Sequence, residues 1–208
     1  LDYPVLEVVV VDAASPAPIA ERVAAGLPGA RVLRLDENRG FGRAVDAARA
    51  QIDLAPLVVL AHDDVAPDPG AVRALVEEAF RSNAAVVGPK AVRWDDPTRI
   101  LAAGEGADKF GYPVPTVDRD ELDQEQHDAV RDVFTVPDAF TLVRADLLEA
   151  IGGFDDEGSW FGDDLDLCWR AHAAGGRVLV APAARVRHLE ALGERRPVDD
   201  RRRLQFRH

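Results

Sequence analysis

Three apolar runs in this chain end in side chains that can bind a cation or a hydroxyl. "VLEVVVVD" closes on Asp12, "ARVLRLDEN" on Asp36, Glu37 and Asn38, and "APLVVLAHDD" on His62, Asp63 and Asp64. In an open α/β sheet the carboxyl ends of the strands border the ligand crevice, so these groups would gather along one edge. A single strand-end aspartate caps the next helix as readily as it meets a ligand; three such ends favour a site. Adjacent carboxylates at Asp63 and Asp64 repel unless a cation sits nearby. Hard oxygen ligands suit Mg²⁺ or Mn²⁺, which often share their shell with water and phosphate. A solvated Asp-Asp turn running into Pro67 and Pro69 is the structural alternative. His62 reads either as a ligand or as a half-exposed strand residue.

A second cluster is "GSWFGDDLDLCWR", from Gly158 to Arg170. Asp163 and Asp164 at a helix start complement the macrodipole, and Asp166 and Arg170, four apart, can pair. Leu165, Trp169 and His172, with Cys168 beside them, are expected to pack on the sheet. A helix start does not explain the turn Trp160-Phe161-Gly162. Large aromatics beside acids suit the wall of a sugar or nucleotide site, and a carboxylate near aromatics can have its pKa raised and act as a base. In "ENRGFGRA", Gly40 and Gly42 let backbone approach a ligand, and the helix start favours an anion. Arg39 and Arg43 add positive charge. The stretch lacks the dinucleotide fingerprint and any Gly-Lys-Ser/Thr, so a plain strand-to-helix turn stays open. His188 closes "AARVRH" and is a candidate metal ligand if that strand ends near the Asp63-Asp64 edge.

The elements that must position these groups alternate. Strands are expected at Val5–Asp12, in "ARVLRLDE", in "APLVVLAHDD" and in "AAVVGPKAV". Helices are expected in "SPAPIAERVAAGL" with Ser15 as N-cap, in "NRGFGRAVDAARAQI", and in "DPGAVRALVEEAFRS" with Pro69 near its first turn. This β-α alternation predicts a doubly wound, mostly parallel α/β sheet with helices on both faces. Residues 94–132 are polar with no clear period and read as a loop-rich excursion. "DVFTVPDAFTLVRADLLEAIGGF" resumes with a strand or hairpin and a helix. A helix to about Ala174 follows, then two short strand-like runs in "GRVLVAPAARVRH" and a charged tail.

Composition narrows the function classes. The net charge of −12 argues against a nucleic-acid partner held by phosphate contacts. No apolar run approaches the roughly 20 residues of a membrane span. The single cysteine, Cys168, excludes an internal disulfide framework and fits a reducing compartment, so a cytoplasmic location is expected. The chain has no methionine, and we expect a fragment of a longer protein.

Taken in order, these pieces resemble family 2 glycosyltransferases of the GT-A fold, in the rhamnosyltransferase-like branch. The resemblance rests on "DYPVLEVVVVDAAS", "ENRGFGRAVDAA", "VLAHDDVAPDPGAV", the long block from "VPDAFTLVRADLLEAIGGFDD" through "FGDDLDLCWRAHAAGGRV", and "ARVRH". It spans nearly the whole chain as one catalytic domain. Residues 1–93 would be the nucleotide-sugar half, and 133–208 the acceptor-side half and tail. The family's first strand would lie before Leu1.

The resemblance implies roles. Asp12 and Asn38 would contact the nucleotide, with Gly40 and Arg43 beside it and Asp63 against the ribose or metal. Asp64 would hold a divalent metal, Mg²⁺ or Mn²⁺, with His188 and, as a third candidate, His62. Asp164 would be the base, with Asp163, Trp160 and Phe161 on the acceptor. The donor would be a UDP-, GDP- or dTDP-linked sugar and the reaction inverting. The acceptor would be a glycan or lipid-linked hydroxyl of the cell envelope, with membrane association through segments outside this stretch. Two departures stand out: His62 replaces the first acid of a DxD motif, and Asp46 stands where the family often has Asn. A non-catalytic nucleotide- or partner-binding domain on the same fold, and a nucleotidyltransferase, are the alternatives.

Overall fold

The computed structural model describes residues 1–51, 55–110, 112–118, 120–137, 139–155 and 162–191. The first apolar run forms β1 (Val9–Ala13), which pairs in parallel with β2 (Arg31–Leu35). Between them, α1 (Ala20–Gly26) starts later than its sequence suggests, because Pro16 and Pro18 interrupt the run. Its N-cap is Ile19, with no side-chain cap. Ser15 is therefore not the helix cap; its N–H donates to Asp12 Oδ1 at 3.0 Å. Next come α2 (Phe41–Arg49), β3 (Leu57–Ala61), β4 (Val65–Pro67), α3 (Ala71–Ser82) and β5 (Val86–Arg93). Pro69 lies just before Gly70, the α3 N-cap, and Asn83 closes that helix in the left-handed conformation.

The excursion carries short strands: β6 (Ile100–Ala102), β7 (Glu105–Ala107), β8 (Pro113–Pro115) and β9 (Arg131–Asp132). The chain returns through β10 (Phe140–Arg144), α4 (Ala145–Ala150), α5 (Asp163–Ala173) and β11 (Val178–His188). The two strand-like runs at the end form one strand. Its register against β5 shifts between Ala181 and Arg185, so the strand bends at a bulge rather than stopping. The charged tail beyond Ala191 lies outside the described residues.

The main sheet has seven strands in the order β3-β10-β5-β11-β4, with β6 on β5 and β9 on β11. Its pairing is mixed. β5 and β11 run parallel, whereas β10 enters antiparallel between β3 and β5, and β4 lies antiparallel on β11. This refines the expected mostly parallel sheet, because apolar runs specify burial and not the direction of a neighbour.

Helices cover both faces, as the pattern predicted. On one side Val72, Leu75 and Ala79 of α3 pack on Val87, Leu142 and Leu179. On the other, Leu147 and Leu148 of α4 and Leu167, Cys168 and Ala171 of α5 pack on Val86, Val143 and Val178. Alternate residues of β5 and β10 thus serve opposite cores, as the period of two demands. The buried face of α5 differs from the expected one: Trp169 is 52% exposed and His172 is also exposed.

A buried lysine ties the excursion down. Lys90 on β5 donates to Asp123 Oδ1 at 3.0 Å and also meets Asp128, while Arg185 reaches Asp123 Oδ2 at 3.0 Å. A buried ammonium requires such partners, so residues 94–132 are held to the sheet by charge as well as by pairing. Among the described residues, no helix is long and apolar enough to cross a membrane.

Candidate active site

His62, Asp64 and His188 meet at one edge of the sheet. Each offers a ligand atom, and the three atoms lie within 4.8 Å of one another. Register explains the meeting: β4 runs antiparallel to β11 with Val65 opposite His188, so the residue before Val65 sits beside that imidazole. The backbone holds the cluster in place. His62 N–H donates to Ala139 O at 2.9 Å, and Leu189 N–H donates to Asp64 O at 3.0 Å.

The two oxygens of the buried Asp64 carboxylate differ. Oδ2 accepts the N–H of Ala191 at 2.9 Å. Oδ1 is buried with no hydrogen-bond partner, although His188 Nε2 comes within 3.3 Å and His62 Nδ1 within 4.0 Å. A buried orphan oxygen is costly and calls for a missing partner. One carboxylate oxygen and two imidazole nitrogens facing a common point are a donor set for a divalent cation, so the residues present fit the expected metal.

The cluster is joined to the start of α5 through Phe41, which sequence reasoning passed over. Its ring meets His62 edge-on at 4.5 Å between centroids and Phe154 at 6.4 Å. The next residue, Gly42, donates its N–H to Asp163 Oδ2 at 2.9 Å. A Cβ at Gly42 would stand 2.7 Å from the Phe154 ring. The space at Gly42 is therefore filled by Phe154, which corrects the reading that its backbone is bare for a ligand. Gly40 has φ of 102°, which glycine alone adopts freely, and its N–H donates to Asn38 Oδ1 at 3.1 Å.

The aspartates of α5 divide their work. Asp163 binds the α2 start, as above. Asp164 accepts its own helix's Leu165 N–H at 2.8 Å, and its carbonyl accepts the Thr135 hydroxyl at 3.3 Å. Asp166 accepts from Arg170 Nε at 2.9 Å, the expected pair. Arg170 also donates to Gly153 O at 2.6 Å, fastening the preceding turn. Asp46 accepts the Phe154 N–H at 2.9 Å and pairs with Arg49 at 2.7 Å. Trp160 and Phe161 lie outside the described residues. Asp63 is exposed, and Arg43 is half-buried on α2.

Both carboxylate oxygens of Asp12 have partners within the protein. Ser15 donates to Oδ1, and Arg34 contacts Oδ2 at 2.5 Å. The Ser15 and Arg34 hydrogen bonds hold its pKa down to about 2 against the opposing effect of burial.

The whole chain, residues 1–208, matches the family model described as glycosyltransferase like family 2. It belongs to that family. It is 30% identical over 190 residues to the pre-mycofactocin glycosyltransferases of Mycobacterium tuberculosis strains CDC 1551 / Oshkosh and ATCC 25618 / H37Rv. That alignment covers 88% of this chain and 37% of those relatives, so the chain spans little more than a third of their length.

The fold is shared with solved GT-A glycosyltransferases. GalNAc-T7 with UDP, GalNAc and Mn²⁺ superposes with a TM-score of 0.68 at 16% identity, covering 88% of this chain and 37% of that one. The mannosyltransferase PcManGT of Pyrobaculum calidifontis, solved with GDP-Man and Mn²⁺, gives 0.59 at 19% identity, covering 88% and 47%. S. aureus TarS 1-349 gives 0.58 at 16% identity, covering 89% and 51%.

Proposed function

We propose that this domain transfers a sugar from a nucleoside-diphosphate sugar to an acceptor hydroxyl, with inversion, using a divalent metal. The observation that carries the reading is the orphan Oδ1 of Asp64 facing His62 and His188, on an edge joined through Phe41 and Gly42 to the helix of Asp164. Asp64, His188 and His62 would hold the ion, which would offset the charge of the departing diphosphate. Two nitrogen donors favour Mn²⁺ over Mg²⁺, because imidazole suits transition ions and Mg²⁺ prefers oxygen. UDP and GDP accompany Mn²⁺ in two of the structural relatives, which supports a nucleotide donor here.

Asp164 is the base. Its carboxylate takes the proton of the acceptor hydroxyl as the oxygen forms the new bond to the anomeric carbon. The anomeric carbon–phosphate oxygen bond breaks, and its electron pair leaves with the nucleoside diphosphate. Asp163 keeps the base in place by holding the α2 start. Asp12 organises the first strand pair through Arg34 and Ser15, and nucleotide contact falls to Asn38, Gly40, Arg43 and Asp63. The acceptor is a glycan or lipid-linked hydroxyl.

Two measurements test the reading. Calorimetry with UDP, GDP and dTDP is expected to show binding that requires Mn²⁺ and disappears in Asp64→Asn. Nucleoside diphosphate release from donor sugars is expected to fall by about 10²–10⁴ in Asp164→Asn with nucleotide affinity unchanged. Equal turnover in that variant removes Asp164 from its role, and pyrophosphate release from a nucleoside triphosphate and a sugar phosphate would indicate nucleotidyl transfer instead.

A further inference from the structure

A concavity of about 360 Å³ shares no residue with the metal cluster. That volume is within the range of small-ligand sites. Its walls include Glu105, Thr116, Arg131, Val133, Phe134 and His172. Three features give it a chemical character.

The first is Glu105. Its backbone is pinned on both sides: its N–H donates to Thr135 O at 2.9 Å, and its carbonyl accepts the Phe134 N–H at 2.9 Å. Its carboxyl is half-buried and makes no hydrogen bond or ion pair among the described residues. Burial alone pushes its pKa up, and no cation opposes the effect. The second is Phe134, which is locked as a wall. His172 stacks on its ring at 5.2 Å, Trp169 meets it edge-on at 5.5 Å, and His172 Nε2 contacts its carbonyl at 2.9 Å. The third is Arg131, whose Nη2 donates to Ala103 O and Thr116 Oγ1, both at 3.0 Å, while its buried Nε has no hydrogen-bond partner among the described residues; its charge stays in the groove without forming an ion pair with Glu105.

We propose that this groove is a subsite for a neutral sugar ring of the acceptor, with Phe134 under the ring's apolar face and Glu105 accepting from its hydroxyls. The chemistry selects that ligand. An unpartnered, poorly solvated carboxyl needs a donor, and a fixed aromatic face suits the C–H side of a pyranose. An anion would meet Glu105 and Asp132, and a cation would meet Arg131. The groove also leads toward the base. Thr135, next to Phe134, holds the Asp164 carbonyl, and His172 lies eight residues along α5 from Asp164. That is roughly 12 Å at about 1.5 Å per residue.

Calling the sugar part of the acceptor rests on the glycosyltransferase reading; the binding itself does not. The test titrates the protein with methyl glycosides of mannose, glucose, galactose, rhamnose and N-acetylglucosamine, without metal or nucleotide. Saturation-transfer NMR and tryptophan fluorescence report binding. At least one glycoside is expected to saturate, with affinity about tenfold weaker in Glu105→Leu and in Phe134→Leu. Mn²⁺-dependent nucleotide binding should be unchanged in both variants, and Glu105→Gln, the conservative change, should weaken the glycoside less. No saturation by any neutral glycoside overturns the proposal. So does equal affinity in both leucine variants, or saturation by methyl glucosaminide alone, which is titrated beside the panel as a cationic control. Failure of nucleotide binding with intact glycoside binding would strike the donor reading and leave the subsite standing.

Discussion

Asp12 and Asp64 carry the same signature in the sequence: each is an aspartate after an apolar strand, and each is buried, at 2% and 8% exposure. Their surroundings differ. Both oxygens of Asp12 are used, one by Ser15 and the other by Arg34. Asp64 has one oxygen satisfied by Ala191 and one left without a hydrogen bond between two histidines. A buried carboxylate with both oxygens engaged is a brace. On the proposed reading, one with an oxygen held in reserve is a ligand-binding group, and the fold bears the cost of desolvating it.

The sharpest way to break this contrast is to neutralise both. Asp64→Asn should abolish Mn²⁺-dependent nucleotide binding, a loss of roughly 100-fold or more, since even supporting residues of metal sites cost about 10–100-fold. Its melting temperature should hold or rise, because an unpaired buried oxygen loses its charge. If Asp64→Asn instead melts lower and keeps Mn²⁺ affinity, Asp64 is a brace like Asp12.

The two histidines should rank by distance. His188→Ala, removing the nitrogen 3.3 Å from Oδ1, should weaken Mn²⁺ binding more than His62→Ala, whose nitrogen is 4.0 Å away. Calorimetry with Mn²⁺ alone would show the order, and the reverse order would place the ion nearer His62. A third test strikes the joint between cluster and base. Gly42→Ala would push a methyl into the Phe154 ring, costing about 1–3 kcal/mol by overpacking. Denaturant unfolding should report that cost, with turnover falling more than Mn²⁺ affinity because Asp163 loses its hold.

The smallest effect belongs to Asp12→Asn: a melting temperature lower by a few degrees, with Mn²⁺ affinity unchanged. Acid titration tests it further. The Asp12 pKa is depressed from its ordinary 3.8 to about 2, so its stabilisation is present above pH 4 and is lost as pH falls toward 2. Glu121, held down to about 2 first by Gln126, contributes to the same limb. Asp12→Asn should flatten the stability curve between pH 4 and 2 and leave the Glu121 part. An unaltered curve would show that Arg34 and Ser15 do not hold the ionised form.

Much of this architecture follows from one-dimensional rules. Periodicity placed α2, α3, α5 and β5 close to where they lie. The pairing of Asp166 with Arg170 follows from helical spacing, and Asp64 and His188 stand out as candidate strand-end ligands in a chain with few histidines. Some assignments depend on partners far along the chain. Ser15 is drawn from its helix by Asp12, Gly42 is filled by Phe154, and α5 buries Leu167 where Trp169 was expected. Lys90 inside an apolar strand hints at a buried ion pair, but its partners Asp123 and Asp128 lie in a stretch without period.

What the sequence by itself determined is the inventory: an α/β alternation, acids at strand ends, an acidic helix start, and family membership written along the whole chain. Tertiary structure alone decided which acid is saturated and which is in reserve. That choice depends on β4 running antiparallel to β11 in a register that sets Asp64 beside His188, and on β2 carrying Arg34 to Asp12. Local preferences act within a few residues, whereas the direction and register of a neighbouring strand are set by packing the whole sheet between its two helical layers. The same reason hid the Glu105 groove, whose walls come from the excursion, β9 and α5 and meet only in the folded chain.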